Sequence, residues 1–179
     1  MKKISTVELL RFICAVMVMI WHYQHFYFPY NFLNTIGYPS IKIYQPFYDY
    51  LSFFYLYGRY GVDIFFLISG FVFSYVYLNS ENILFRKFFL RRFARLYPLH
   101  IFTLILVVLF QYFSNENYGE YFIHQNNDLY HFFLNFFFIS GWGFQNGPSF
   151  NGPIWSISIE LIIYALFFFS IIKFKKNYL

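Results

Sequence analysis

Apolar residues run along this chain in blocks separated by polar breaks, and several blocks are long enough to be membrane helices. The hydrocarbon core of a bilayer, about 30 Å thick, takes roughly 20 apolar residues as helix. The first block runs from about Thr6 to Phe26, and Pro29, Asn31, Asn34, Gly37 and Pro39 then break it into a loop. The second extends from about Tyr50 to Leu78. Gly58 and Gly61 flank Arg59 there and predict a loosened helix in two pieces. A basic amphipathic stretch, Phe85 to Arg95, reads as an interfacial helix that enters a third span at Pro98 and ends near Phe113. Ser114 to Asp128 is polar, lacks Lys and Arg, and reads as an external loop. Tyr130 to Phe144 is apolar but short, so it is either a short span or a re-entrant segment. A turn-rich linker, Asn146 to Pro153, leads to a last apolar run from Ile154 to Ile172. The expected fold is all-α: a polytopic transmembrane helical bundle with four or five spans and a basic interfacial helix.

Composition agrees. Charged residues make up 12% of the 179 positions, about half the share of a soluble domain. The net charge of +5 does not point to nucleic acid, because most basic residues flank apolar runs, where they orient helices. Lys2, Lys3 and the Arg86–Arg95 cluster place the N-terminus in the cytoplasm. Lys173, Lys175 and Lys176 would lie inside if 130–144 re-enters and outside if it spans. No small-residue cleavage site follows the first apolar run, so an uncleaved first span is expected. Cys14 is the only cysteine, which excludes an internal disulfide and a cysteine-based metal site. Its place inside an apolar segment marks a small packing residue.

The candidate chemistry lies in the oily segments. Eleven residues are three helical turns plus roughly 20°, so Arg11 and His22 share a face, about 16 Å apart along the axis. Glu8 falls within roughly 60° of both. Ionisable groups at mid-bilayer cost about 2.5–3.5 kcal/mol each, which makes them functional candidates by default. The plainer alternative is a local Glu8–Arg11 pair at one membrane edge, with His22 capping the other. Arg59 and Asp63 are four residues apart and can pair on one face, as a structural ion pair or as an acid that orients His22. Arg92 and Arg95 are one turn apart. They read either as a positive-inside anchor with affinity for anionic lipid or as a clamp for phosphate oxygens. Ser156, Glu160 and Tyr164 recur every four residues and form one polar stripe, in which Glu160 needs a partner or a cavity. Arg11, His22 and Arg59 are candidate partners. His22 and His25 alone are too few for a metal site.

Four stretches together resemble the acyltransferase 3 family of bacterial integral membrane proteins. Val7-Glu8-Leu9-Leu10-Arg11-Phe12, closed by His22, resembles its first-helix pattern of Arg, ten residues and His. Gly61 to Phe71 resembles its second-helix signature. Arg92-Phe93-Ala94-Arg95, within Phe88 to Pro98, resembles its Arg-x-x-Arg segment, and Pro153 to Glu160 resembles its Trp-Ser-x-Ser-x-Glu motif. The motifs occur in the family's order. Family members often carry Asp where Glu8 stands. The family's membrane domain has more helices than these, so residues 1–179 resemble its N-terminal part.

The resemblance implies an enzyme of the bacterial inner membrane. It moves an acyl group, usually acetyl, from cytoplasmic acyl-CoA to a hydroxyl of an extracytoplasmic carbohydrate or small-molecule acceptor, beside membrane lipid and with no metal. Arg92 and Arg95, with Arg11, would hold the CoA phosphates. His22 would take the acceptor's proton, for which an imidazole with an unperturbed pKa of about 6.5 is suited, or would carry the acyl group as a covalent relay. Glu8, Asp63 and Glu160 complete the candidate catalytic set, Asp63 or Glu160 as the group that orients His22. Two other readings are an inactive fragment of such an enzyme and a transporter-like protein. Transporters often show paired broken helices in two related halves, and no internal repeat is visible here.

Overall fold

A computed structural model describes residues 5–26, 42, 45–77 and 84–178. Every regular element among the described residues is helical: α1 (Ser5–Tyr23), α2 (Tyr48–Tyr57), α3 (Gly61–Tyr77), α4 (Phe85–Tyr118), α5 (Leu129–Phe136) and α6 (Ile154–Tyr178). Among the described residues, four helical stretches are long and apolar enough to cross a membrane: Thr6–Tyr23, Tyr48–Tyr77, Phe85–Tyr118 and Ile154–Phe174. The chain divides into two compact units, Met1–Val72 and Phe73–Leu179.

In the first unit α1 packs against α2 and the 3-10 turn, Gly58–Tyr60, that joins α2 to α3. Lipid tails are as apolar as leucine, so burying oil does not drive helices together in a membrane. Small residues do, by letting backbones approach. Gly58 and Gly61 serve this purpose. A Cβ at Gly58 would lie 2.4 Å from the Met17 carbonyl oxygen, and one at Gly61 would lie 2.9 Å from that of Cys14. The sequence predicted a break here, and the break is present. The glycines, however, are fixed by contact rather than loosened. Cys14, Met17 and Tyr55 are buried at this seam, as a packing role for Cys14 requires. A buried hydrogen bond from Gln45 Nε2 to Gln24 Oε1, 2.8 Å, adds a polar tie.

In the second unit, the basic stretch is not a separate interfacial helix. It forms the first turns of α4, a continuous helix of 34 residues, roughly 51 Å long at 1.5 Å per residue. Pro98 lies inside α4. It has no N–H for the carbonyl of Ala94, yet helix runs on both sides. The C-terminus of α4 also extends past Phe113, to a left-handed Gly119 (φ 72°) whose N–H bonds Asn115 O. The apolar run 130–144 yields only the eight residues of α5, about 12 Å. It does not span, which leaves four spans among the described residues rather than five. A 3-10 turn, Ser140–Trp142, follows and packs on α6. Phe73, Phe88, Tyr164 and Phe168 form the buried aromatic core of this unit.

Candidate functional site

His22 stands in the last turn of α1, with the ring partly buried. It is therefore close to one end of the span rather than at its middle. Its Nδ1 lies 2.8 Å from the carbonyl oxygen of Val18. A carbonyl can only accept, so the neutral ring carries its proton on Nδ1 and keeps its lone pair on Nε2. The tautomer suited to a base is thus set by backbone. The resemblance assigns this role to Asp63 or Glu160, and among the described residues no hydrogen bond or ion pair joins Asp63 to His22. Trp21 lies edge-on to both His22 and His25, at 4.8 and 4.9 Å between ring centroids.

Arg11 pairs with Glu8 at 3.1 Å on the exposed face of α1. Fourteen residues separate Glu8 from His22, about 21 Å along the helix, so Glu8 touches Arg11 and not the ring. Arg59 does not pair with Asp63. Its Nη2 donates to the Tyr60 hydroxyl at 2.9 Å and its guanidinium lies over that ring. The reason is local: Arg59 sits in the 3-10 turn, where spacing of four no longer aligns side chains.

The second unit gathers the other candidates. The Arg92 guanidinium lies 4.5 Å from the Phe73 ring centre, with Tyr164 at 5.6 Å and Phe88 at 5.8 Å. The cation is thus held among three aromatic rings. Arg95, one turn on, is exposed. On α6 the Tyr164 hydroxyl donates to Glu160 Oε1 at 2.5 Å. The polar stripe of α6 therefore meets Arg92 through Tyr164. Ser156 leaves the stripe and donates to the Pro153 carbonyl instead.

The acyltransferase 3 family model, an acyltransferase domain, matches residues 4–179. The chain belongs to the acyltransferase 3 family. It is 28% identical over 137 residues to a peptidoglycan O-acetyltransferase, OatA, of Listeria monocytogenes. The match covers 67% of this chain and spans 21% of that relative's length. No solved structure matches.

Within this acyltransferase 3 chain the Trp-Ser-x-Ser-x-Glu motif separates into roles. Ser158 is fully buried. Its Oγ accepts from the Gly141 N–H at 2.8 Å and donates to the Trp155 carbonyl, while Trp142 Nε1 donates to the Ser158 carbonyl. Ser158 therefore docks the 140–142 turn onto α6, a structural duty. Sequence reasoning also missed a buried polar network after α4. Asp128 caps α5, accepting from both the N–H and the Nδ1 of His131 at 2.8 Å. This arrangement holds the Asp128 carboxyl below its ordinary range, the backbone N–H of His131 contributing most. The pair has the look of a catalytic dyad. However, His131 Nε2 already accepts the Asn146 N–H at 3.2 Å, and the residue is 1% exposed. Its ring is a structural post. Among the described residues no group of three His, Cys, Asp or Glu side chains is placed to hold a metal.

Proposed function

We propose that this chain carries the donor-binding and base residues of a membrane O-acyltransferase that uses acyl-CoA, with acetyl as the group moved, and a hydroxyl of an extracytoplasmic glycan as acceptor. The observation that supports it most is His22 with Nδ1–H given to Val18 O and its Nε2 lone pair available, in a chain that matches the family almost throughout. As the acceptor oxygen attacks the thioester carbonyl, Nε2 takes the hydroxyl proton. The C–S bond then breaks and the CoA sulfur leaves as thiolate, to which the imidazolium returns the proton. Direct transfer needs no acyl-histidine, and the two routes differ in whether a labelled acetyl group stays on the protein without acceptor.

The N-terminus and the basic start of α4 face the cytoplasm of the bacterial inner membrane in this reading. Arg92 and Arg95 bind the CoA phosphates. Arg92 is held by its three neighbouring rings and Arg95 is the more exposed hand. Glu8 steadies Arg11, and Glu160 holds the Tyr164 hydroxyl beside Arg92. In a binding assay of the protein in nanodiscs, Arg95→Ala weakens CoA by at least tenfold with thermal stability unchanged, and Arg92→Ala with Arg95→Ala weakens it further. Unchanged CoA affinity in the double variant refutes the clamp.

A further inference from the structure

A second site, which the acyl-transfer chemistry above does not use, lies at the other end of α4. Val108, Gln111, Tyr112 and Asn115 form one stripe of that helix and line a pocket of about 250 Å³ with Tyr121, Asn127, Asp128, Phe132 and Phe150. That is room for on the order of eight water molecules at about 30 Å³ each.

The walls are pre-built. Gln111 is buried and clamps the loop through both its amide atoms, donating to Phe122 O at 2.7 Å and accepting Phe122 N–H at 2.8 Å. Asn127 is also buried, and its Oδ1 accepts the Phe150 N–H at 2.6 Å. Ile123 and Phe150 are held in the left-handed region at φ 66° and 36°. Non-glycine residues stay there only where their surroundings over-determine the backbone, which is common at binding sites. With the loop held by Gln111 and Asn127, other groups are left for a ligand. The Asn115 side-chain amide and the Tyr112 and Tyr121 hydroxyls make no hydrogen bond among the described residues. Asp128 keeps 61% of its side chain exposed, and an ionised carboxylate has more acceptor sites than His131 uses.

Position follows from one helix used as a ruler. Twenty residues of α4 separate Arg92 from Tyr112, about 30 Å, the thickness of the hydrocarbon core. The pocket and the arginines therefore sit at opposite membrane faces. Residues 114–128 contain Glu116, Glu120 and Asp128 and no Lys or Arg, a field that repels anions and so disfavours CoA or a phospholipid phosphate. Aromatic faces, a free amide and a carboxylate suit the C–H faces and hydroxyls of a neutral sugar.

We propose that this pocket is a subsite for one ring of a neutral oligosaccharide, held over Tyr112 and Phe132 with hydroxyl contacts to Asn115, Tyr121 and Asp128. Its role as the acceptor subsite rests on the acyl-transfer reading; sugar binding itself does not. The test is a titration of the full chain in nanodiscs with chitotetraose and with maltotetraose, followed by intrinsic fluorescence, beside a CoA titration. Saturable binding of at least one sugar is expected. Asn115→Ala combined with Tyr112→Ala should weaken it at least tenfold and leave CoA affinity and the unfolding temperature unchanged. No saturable binding of either sugar to the folded protein overturns the site, as does a double variant that binds like wild type. A chain that binds sugar but not CoA keeps this site and removes the donor reading. One that binds CoA but no sugar does the reverse.

Discussion

Replacing Gly58 by alanine perturbs the seam that carries His22. The new Cβ would lie 2.4 Å from the Met17 carbonyl oxygen and 2.7 Å from Trp21 Cβ. Carbon atoms rest about 3.5–4.0 Å apart, so α1 and the 58–60 turn must separate by on the order of 1 Å. Both clashing atoms belong to backbone or to its first side-chain carbon and cannot swing away. Overpacking of this kind costs about 1–3 kcal/mol. Gly70 supplies the control, because a Cβ there meets nothing within 4 Å. Gly70→Ala in α3 should gain about 0.5–1 kcal/mol from the lower entropy cost of alanine in a helix. The two alanines therefore differ by roughly 1.5–4 kcal/mol, which for a chain of this length is a gap of several degrees in unfolding temperature. Thermal unfolding of both variants in one detergent, followed by tryptophan emission, reads this directly. Equal unfolding temperatures would refute the glycine seam.

Two further outcomes follow from the loop after α4. The folded Asp128 carboxyl is held below its unfolded value of about 3.9. Its contribution to stability is present above that value and is lost as pH falls through the lower, folded one. The stability difference between wild type and Asp128→Asn should thus be flat above about pH 5 and shrink toward pH 3; a difference independent of pH contradicts the assignment. His131→Ala leaves the Asn146 N–H and the Asp128 carboxylate without their partner and should lower the unfolding temperature, with acyl transfer per folded molecule retained. Loss of turnover at unchanged stability would make His131 catalytic instead.

Much of the fold was legible because membrane helices announce themselves by length and apolarity. The α2–α3 break was also visible, in two glycines beside an arginine. Pro98 misled because a proline both starts helices and is tolerated within them. Its flanking turns decided the matter, and sequence does not show them. The run 130–144 stayed ambiguous because its apolar residues serve a short helix, a turn and contact with α6 alike. At the site, Arg11–Glu8 proximity follows from spacing, and the structure has that pair. Arg59 and Asp63 shared the same kind of spacing, but the 3-10 turn removed the register that the argument needed. The His22 tautomer could not be read, since its partner is a main-chain carbonyl. The Arg92 cage was equally hidden, because Phe73, Phe88 and Tyr164 come from three helices.

The central claim is that the Nε2 atom of His22 removes the acceptor's proton. The most direct measurement is acetyl transfer from acetyl-CoA on one side of reconstituted vesicles to an oligosaccharide on the other, for wild type and His22→Ala matched in folded amount. General-base catalysis is worth about 10²–10⁴ in rate, so turnover should fall at least a hundredfold with CoA affinity intact. Wild-type turnover from the alanine variant would contradict the account.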